Sequence, residues 1–120
     1  MTFEITMGGT PYAFNFGMGF LKDINQKATS KIPNSNYVIK TGAKFVIAQV
    51  IDGDVEALAD VLMLANKGET PRLTTQVLNT YIEEEADIEE LFAMVTDFFG
   101  KANATKMIYK EMKGEIKAEK

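Results

Sequence analysis

The most regular hydrophobic pattern in the chain lies between Asp87 and Gly100. Ile88, Leu91, Phe92, Val95, Phe98 and Phe99 recur at the spacing that lines one face of a helix. Asp87 suits the N-cap, with Glu90 three residues on, and Gly100 suits a left-handed turn that stops the helix. Three phenylalanines on one stripe need cover, so this helix is expected at the centre of a core, the alternative being a groove for a partner. No residue on the stripe carries chemistry.

Nearer the N-terminus the period changes from helical to alternating. Phe3, Ile5 and Met7 alternate with polar residues, as do Tyr12, Phe14 and Phe16 with Ala13 and Asn15, around Gly8-Gly9-Thr10-Pro11. Two such runs about a Gly-rich turn predict a β-hairpin with one aromatic face inward and edges open to association. A short helix is expected from Phe20 to about Lys27, followed by a loop over 28–36, where Pro33 and two asparagines gather. Residues 37–51 are β-branched, yet after Gly42 their pattern favours a buried helix over a strand. Asp54 can cap a helix with Val55, Leu58, Ala59, Leu62 and Ala65 inward, ending near Lys67-Gly68. Thr70-Pro71 carries a helix-start signal, with Leu73, Val77, Leu78, Tyr81 and Ile82 following at helical spacing. A final helix is expected over Ala102–Lys113. These elements predict an α+β, mainly helical domain over 1–113, an N-terminal β-hairpin packed on about five helices, with 114–120 as a frayed tail.

Candidate chemistry narrows under inspection. Gly17-Met18-Gly19 follows a strand and precedes a helix, but Lys22 stands where a dinucleotide fingerprint needs its third glycine. Asp52, Asp54 and Glu56 have the spacing that opens a calcium loop, but Ala57 and Met63 replace the required glycine and bidentate glutamate. Glu83, Glu84, Glu85, Asp87, Glu89 and Glu90 could hold a divalent cation or activate water, but such a run is more often solvated, with the carboxylates at 87–90 favoured by the following helix dipole. The chain has no cysteine and no histidine, which removes thiolate catalysis, Cys-based zinc sites and the commonest base near neutral pH. The expectation is no catalytic residue, no cofactor and no metal. No apolar run approaches a membrane span and no signal peptide precedes the hairpin, which points to the cytoplasm.

Charge is unevenly spread. Residues 1–49 carry +3, residues 50–100 carry −10 and the last twenty carry +3. An acidic middle argues against nucleic acid as the main ligand, since phosphate binding needs a concentrated basic face. It permits pairing between copies: Lys106, Lys110 and Lys113 of one chain against Glu83, Glu84 and Glu85 of the next. Such a contact is heterologous and repeats as a ring or helix.

Three stretches together resemble the tail assembly chaperones of long-tailed bacteriophages and prophages of Gram-positive hosts. They are FNFGMGFLKDIN after the hairpin, IDGDVEALADVLMLA opening a helix, and the acidic IEEEADIEELFAMVTDFF. The resemblance spans nearly the whole chain. It implies a small helical protein that binds the tape measure protein, helps tail-tube subunits assemble around it, self-associates, and is absent from the finished virion. It carries no active site. A small bacterial adaptor or regulatory protein-binding domain is the alternative that the residues alone leave open, and an enzyme using the carboxylates of 83–90 is another.

Overall fold

The computed structural model of the chain describes residues 2–27, 29–31, 38–40 and 42–118. The N-terminal hairpin forms as the alternation predicts. Strands β1 (Thr2–Met7) and β2 (Thr10–Asn15) pair antiparallel, in register from Thr2 opposite Asn15 to Met7 opposite Thr10. Gly8 and Gly9 have φ of 59° and 81°, the doubly positive geometry of a type I′ turn, so the turn is two residues long and Thr10 and Pro11 belong to β2. Phe3, Ile5, Met7, Tyr12, Phe14 and Phe16 all turn inward.

Helix α1 (Met18–Lys27) follows, then two short strands, β3 (Thr29–Lys31) and β4 (Val38–Lys40), paired antiparallel. The loop expected over 28–36 is therefore corrected at Thr29–Lys31. Of the run 37–51, Val38–Lys40 is strand, as its β-branched composition allows, and the buried helix favoured after Gly42 forms as α2 (Gly42–Ile51). Three-residue strands contain too few periods to register as alternation, and it is pairing across the chain that makes them strands. Residues 28, 32–37 and 41 lie outside the described residues. The Ala43 N–H donates to Asn25 Oδ1 at 3.0 Å, tying the start of α2 to α1. Gly42 sits so close to α1 that a Cβ there would strike the Ile24 carbonyl and come within 2.9 Å of the Asn25 backbone.

Asp54 caps α3 (Val55–Asn66), its carboxylate accepting the Ala57 N–H at 3.0 Å. Leu58, Val61, Leu62 and Ala65 bury the inner face of α3, against β2 and α2, but Val55 lies off that face and is 42% exposed. The helix start expected at Thr70-Pro71 is not used. Helix α4 spans Thr75–Thr80 and is capped by Thr74, whose hydroxyl accepts the Val77 N–H at 3.2 Å. The intervening segment is instead bound to buried Asn66, whose Oδ1 accepts the Leu73 N–H and whose amide donates to the Pro71 carbonyl. A π-helical turn, Tyr81–Glu85, closes on the Tyr81 carbonyl, which accepts the Ala86 N–H at 2.8 Å.

Asp87 caps α5 (Ile88–Lys101), accepting the Glu90 N–H at 3.2 Å. Leu91, Val95 and Phe99 are buried, while Ile88, Phe92 and Phe98 are half-buried against the same core. Phe99 stacks on Phe16 with ring centroids 4.8 Å apart, and Phe98 on Phe3 at 4.1 Å. Full burial of each such side chain stabilises by about 1.5–3 kcal/mol. The hairpin's aromatic face and the α5 stripe therefore share one core.

Gly100 does not stop α5. The helix runs through it to Lys101, and Ala102 leaves in extended backbone. A Cβ at Gly100 would lie 3.2 Å from the Tyr109 ring, so the glycine serves close packing between helices. The last helix, α6 (Lys106–Ala118), starts four residues later than expected. Residues 102–105 form a turn in which buried Thr105 donates its hydroxyl to the Phe99 carbonyl at 2.7 Å. Helical backbone continues through Gly114 to Ala118, and α6 packs on α2 and α5.

Candidate functional site

Two acidic residues of the middle segment, Asp54 and Asp87, cap helices. Glu83, Glu84 and Glu85 are all exposed on the π-helical turn. Of the three, Glu85 has a defined partner: its Oε2 accepts the Gly8 N–H at 3.2 Å, tying the hairpin tip to the turn. Among the described residues no three carboxylates converge as a metal site requires. Asp54, from the calcium-like spacing, is committed to the α3 cap and to Gln49, whose amide donates to its Oδ2 at 3.4 Å. Tyr81 lies beside this acidic turn. Burial pushes its phenol above the ordinary value of 10.0, and the carboxylates of Glu85 and Glu90 push in the same direction.

The basic set lies on α6. Lys110 and Lys113 are exposed and Lys106 half-buried, with the Lys113 ammonium 5.6 Å above the Tyr109 ring. Within one chain, no ion pair among the described residues joins these lysines to Glu83, Glu84 or Glu85. Ion pairs between described residues include Lys44–Glu111, Lys67–Asp23 and Lys101–Asp97.

Apolar side chains also remain uncovered. Met18, Phe45 and Met107 are 59%, 56% and 72% exposed. Met18 borders an open depression of about 490 Å³ with Phe16, Gly17, Lys101, Asn103 and Ala104. Flexible, polarisable methionines on a surface suit contact with partners of varied shape. Sequence reasoning did not single out Met18 as an exposed contact, because an isolated apolar residue outside a stripe carries no periodic signal. It also missed Asn66, whose role depends on residues 53 and 7 positions away in sequence. Gly17 lies in the joint from β2 into α1, while Gly19, also expected there, falls within the helix.

No helix of the described residues is long and apolar enough to cross a membrane. Comparison with curated proteins and with solved structures finds no match. A family model described as phage tail assembly chaperone protein, TAC, matches residues 4–113, from the middle of β1 into α6. With that match running through the hairpin, the capped helices and the acidic turn alike, the chain belongs to the phage tail assembly chaperone family.

Proposed function

We propose that the protein binds the tape measure protein in the host cytoplasm, promotes assembly of tail-tube subunits around it, and is left out of the finished virion. It acts by differential binding and without catalysis, cofactor or metal. The observation that carries this reading is family membership over residues 4–113. Uncovered Met18, Phe45 and Met107 support it, since a chaperone must offer apolar surface to an elongated client until tube subunits replace it. Many weak contacts along one long client add through avidity, so no single site need bind tightly. Co-expression with a tape measure fragment tests the reading. The fragment should stay soluble and co-elute with the chain; an insoluble fragment and a free chain would favour an adaptor role elsewhere.

The chain also self-associates in this reading, with Lys106, Lys110 and Lys113 of one copy facing Glu83, Glu84 and Glu85 of the next. Exposed ion pairs contribute only about 0–1 kcal/mol each, so they set orientation while apolar contact supplies affinity. Sedimentation at low and high salt, with the Lys106→Glu, Lys110→Glu, Lys113→Glu variant beside wild type, decides the point. Salt and charge reversal should weaken the oligomer without abolishing it, and a monomer under all conditions refutes self-association.

A further inference from the structure

The two edges of the hairpin are not equivalent. A two-residue turn with Met7 opposite Thr10 makes Met7–Thr10, Ile5–Tyr12 and Phe3–Phe14 the hydrogen-bonded pairs. The backbone groups of Thr2, Glu4 and Thr6 therefore point away from β2, and those of Pro11 and Ala13 point away from β1. The β2 edge is blocked in its middle: Pro11 has no N–H to offer, and the Ala13 carbonyl accepts the Asn66 amide at 2.9 Å. On the β1 edge, no hydrogen bond among the described residues reaches the outward N–H or C=O of Thr2, Glu4 or Thr6, and all three residues are exposed. No proline interrupts β1 and its register is unbroken, so it lacks two of the usual guards against strand addition.

A second observation lies beneath that strand. Phe3 stacks on Phe14 of β2 at 5.5 Å and on Phe98 of α5 at 4.1 Å, and Phe98 is only partly buried, with the Lys101 ammonium 5.8 Å from its ring centroid. The hairpin's apolar underside therefore continues onto α5 beyond the side chains that the hairpin itself supplies. A strand added to β1 would place every second side chain on that underside and the alternate ones beside Glu4.

We propose that the outer edge of β1 takes up an extended segment of a client polypeptide as an added strand, with apolar residues at alternate positions and a lysine or arginine between them opposite Glu4. Main-chain hydrogen bonds supply affinity, the Phe98 shelf selects apolar side chains, and Glu4 selects charge. The inference rests on the client-binding reading above and names the part of the client that is held. A second copy of the chain is the poorer occupant of the edge. Its Phe3, Ile5 and Met7 are 7%, 6% and 1% exposed, already committed to its own core, and centred antiparallel pairing would set Glu4 against Glu4.

The test uses the whole chain and a short synthetic peptide alternating valine with threonine around one central lysine. Peptide binding should slow amide exchange at Thr2, Glu4 and Thr6 and leave the amides of Phe3 and Ile5, already bonded to β2, unchanged. N-methylating the lysine and threonine amides, which would face β1, should abolish binding; N-methylating the valine amides should not. Glu4→Lys, on an exposed position, should weaken the lysine peptide about threefold and favour one carrying glutamate instead. Exchange at Thr2, Glu4 and Thr6 that is unaffected by peptide overturns the proposal. So does protection there that rises with protein concentration alone, because a second copy would then hold the edge. If the peptide fails while a tape measure fragment still co-elutes with both wild type and Glu4→Lys, the edge is wrong and the chaperone reading stands.

Discussion

Asn66, the last residue of α3, donates its side-chain amide to the Ala13 carbonyl of β2 while accepting the Leu73 N–H at 2.6 Å. One fully buried side chain thus fastens the hairpin to α3 and fixes the chain that leaves it. Asn66→Leu should lower unfolding free energy by about 2–4 kcal/mol, since the buried Leu73 N–H and the part-buried Ala13 C=O would both lose their partner. Denaturant unfolding measures the loss. A change below about 0.5 kcal/mol would mean that water replaces both bonds.

Burial separates the phenylalanines of α5. Phe99 is fully buried and Phe92 only half-buried, so the stripe read from periodicity is not energetically uniform. Phe99→Ala should cost about 3–5 kcal/mol and Phe92→Ala about 1–3 kcal/mol, read from thermal or denaturant midpoints. The reverse order would place Phe92 at the centre of the core.

Two glycines should respond oppositely to alanine. At Gly42 a Cβ meets the α1 backbone, which cannot move aside like a side-chain tip, and Gly42→Ala should cost at least about 3 kcal/mol. At Gly19, inside α1, nothing lies within 4 Å of the added carbon. Gly19→Ala should stabilise by about 0.5–1 kcal/mol through reduced backbone freedom in the unfolded chain. Equal effects in calorimetry would show that α1 and α2 pack less closely than described.

Tyr81 links the acidic turn to alkaline stability. Its phenol is raised in the folded state by burial first and by Glu85 and Glu90 next. A raised folded value means that its contribution is complete below the unfolded value near 10 and is lost as pH climbs through the folded value. Stability should therefore fall above about pH 10, and Tyr81→Phe should flatten part of that fall. Ultraviolet titration of the phenolates, followed beside unfolding at each pH, checks both. A slope unchanged in Tyr81→Phe would assign the loss to other groups.

Much of this fold was legible where sequence signals are local. Gly8-Gly9 between alternating runs specified the hairpin, and Asp54 and Asp87 marked the starts of α3 and α5 by their own side-chain chemistry. Local signals misled where a distant residue competed. Thr70-Pro71 has the composition of a helix start, but Asn66 holds Pro71 and Leu73 in another path, and Thr74 caps instead. Gly100 reads as a stop, yet it serves the contact with Tyr109, which only the packed helices define. The charged sets at 83–85 and on α6 were visible as composition. The unequal hairpin edges were visible only at Pro11, because the rest depends on Asn66 reaching Ala13 across the fold.

The most direct measurement is made on a phage whose genome encodes this chain, with its reading frame silenced and then restored in trans. Silencing should leave filled heads without tails, and restoration should return tailed particles. Quantitative mass spectrometry of those purified particles should find the tape measure protein but none of this chain. Normal tails in its absence, or the chain present in stoichiometric amount within the virion, would contradict a role as an assembly chaperone.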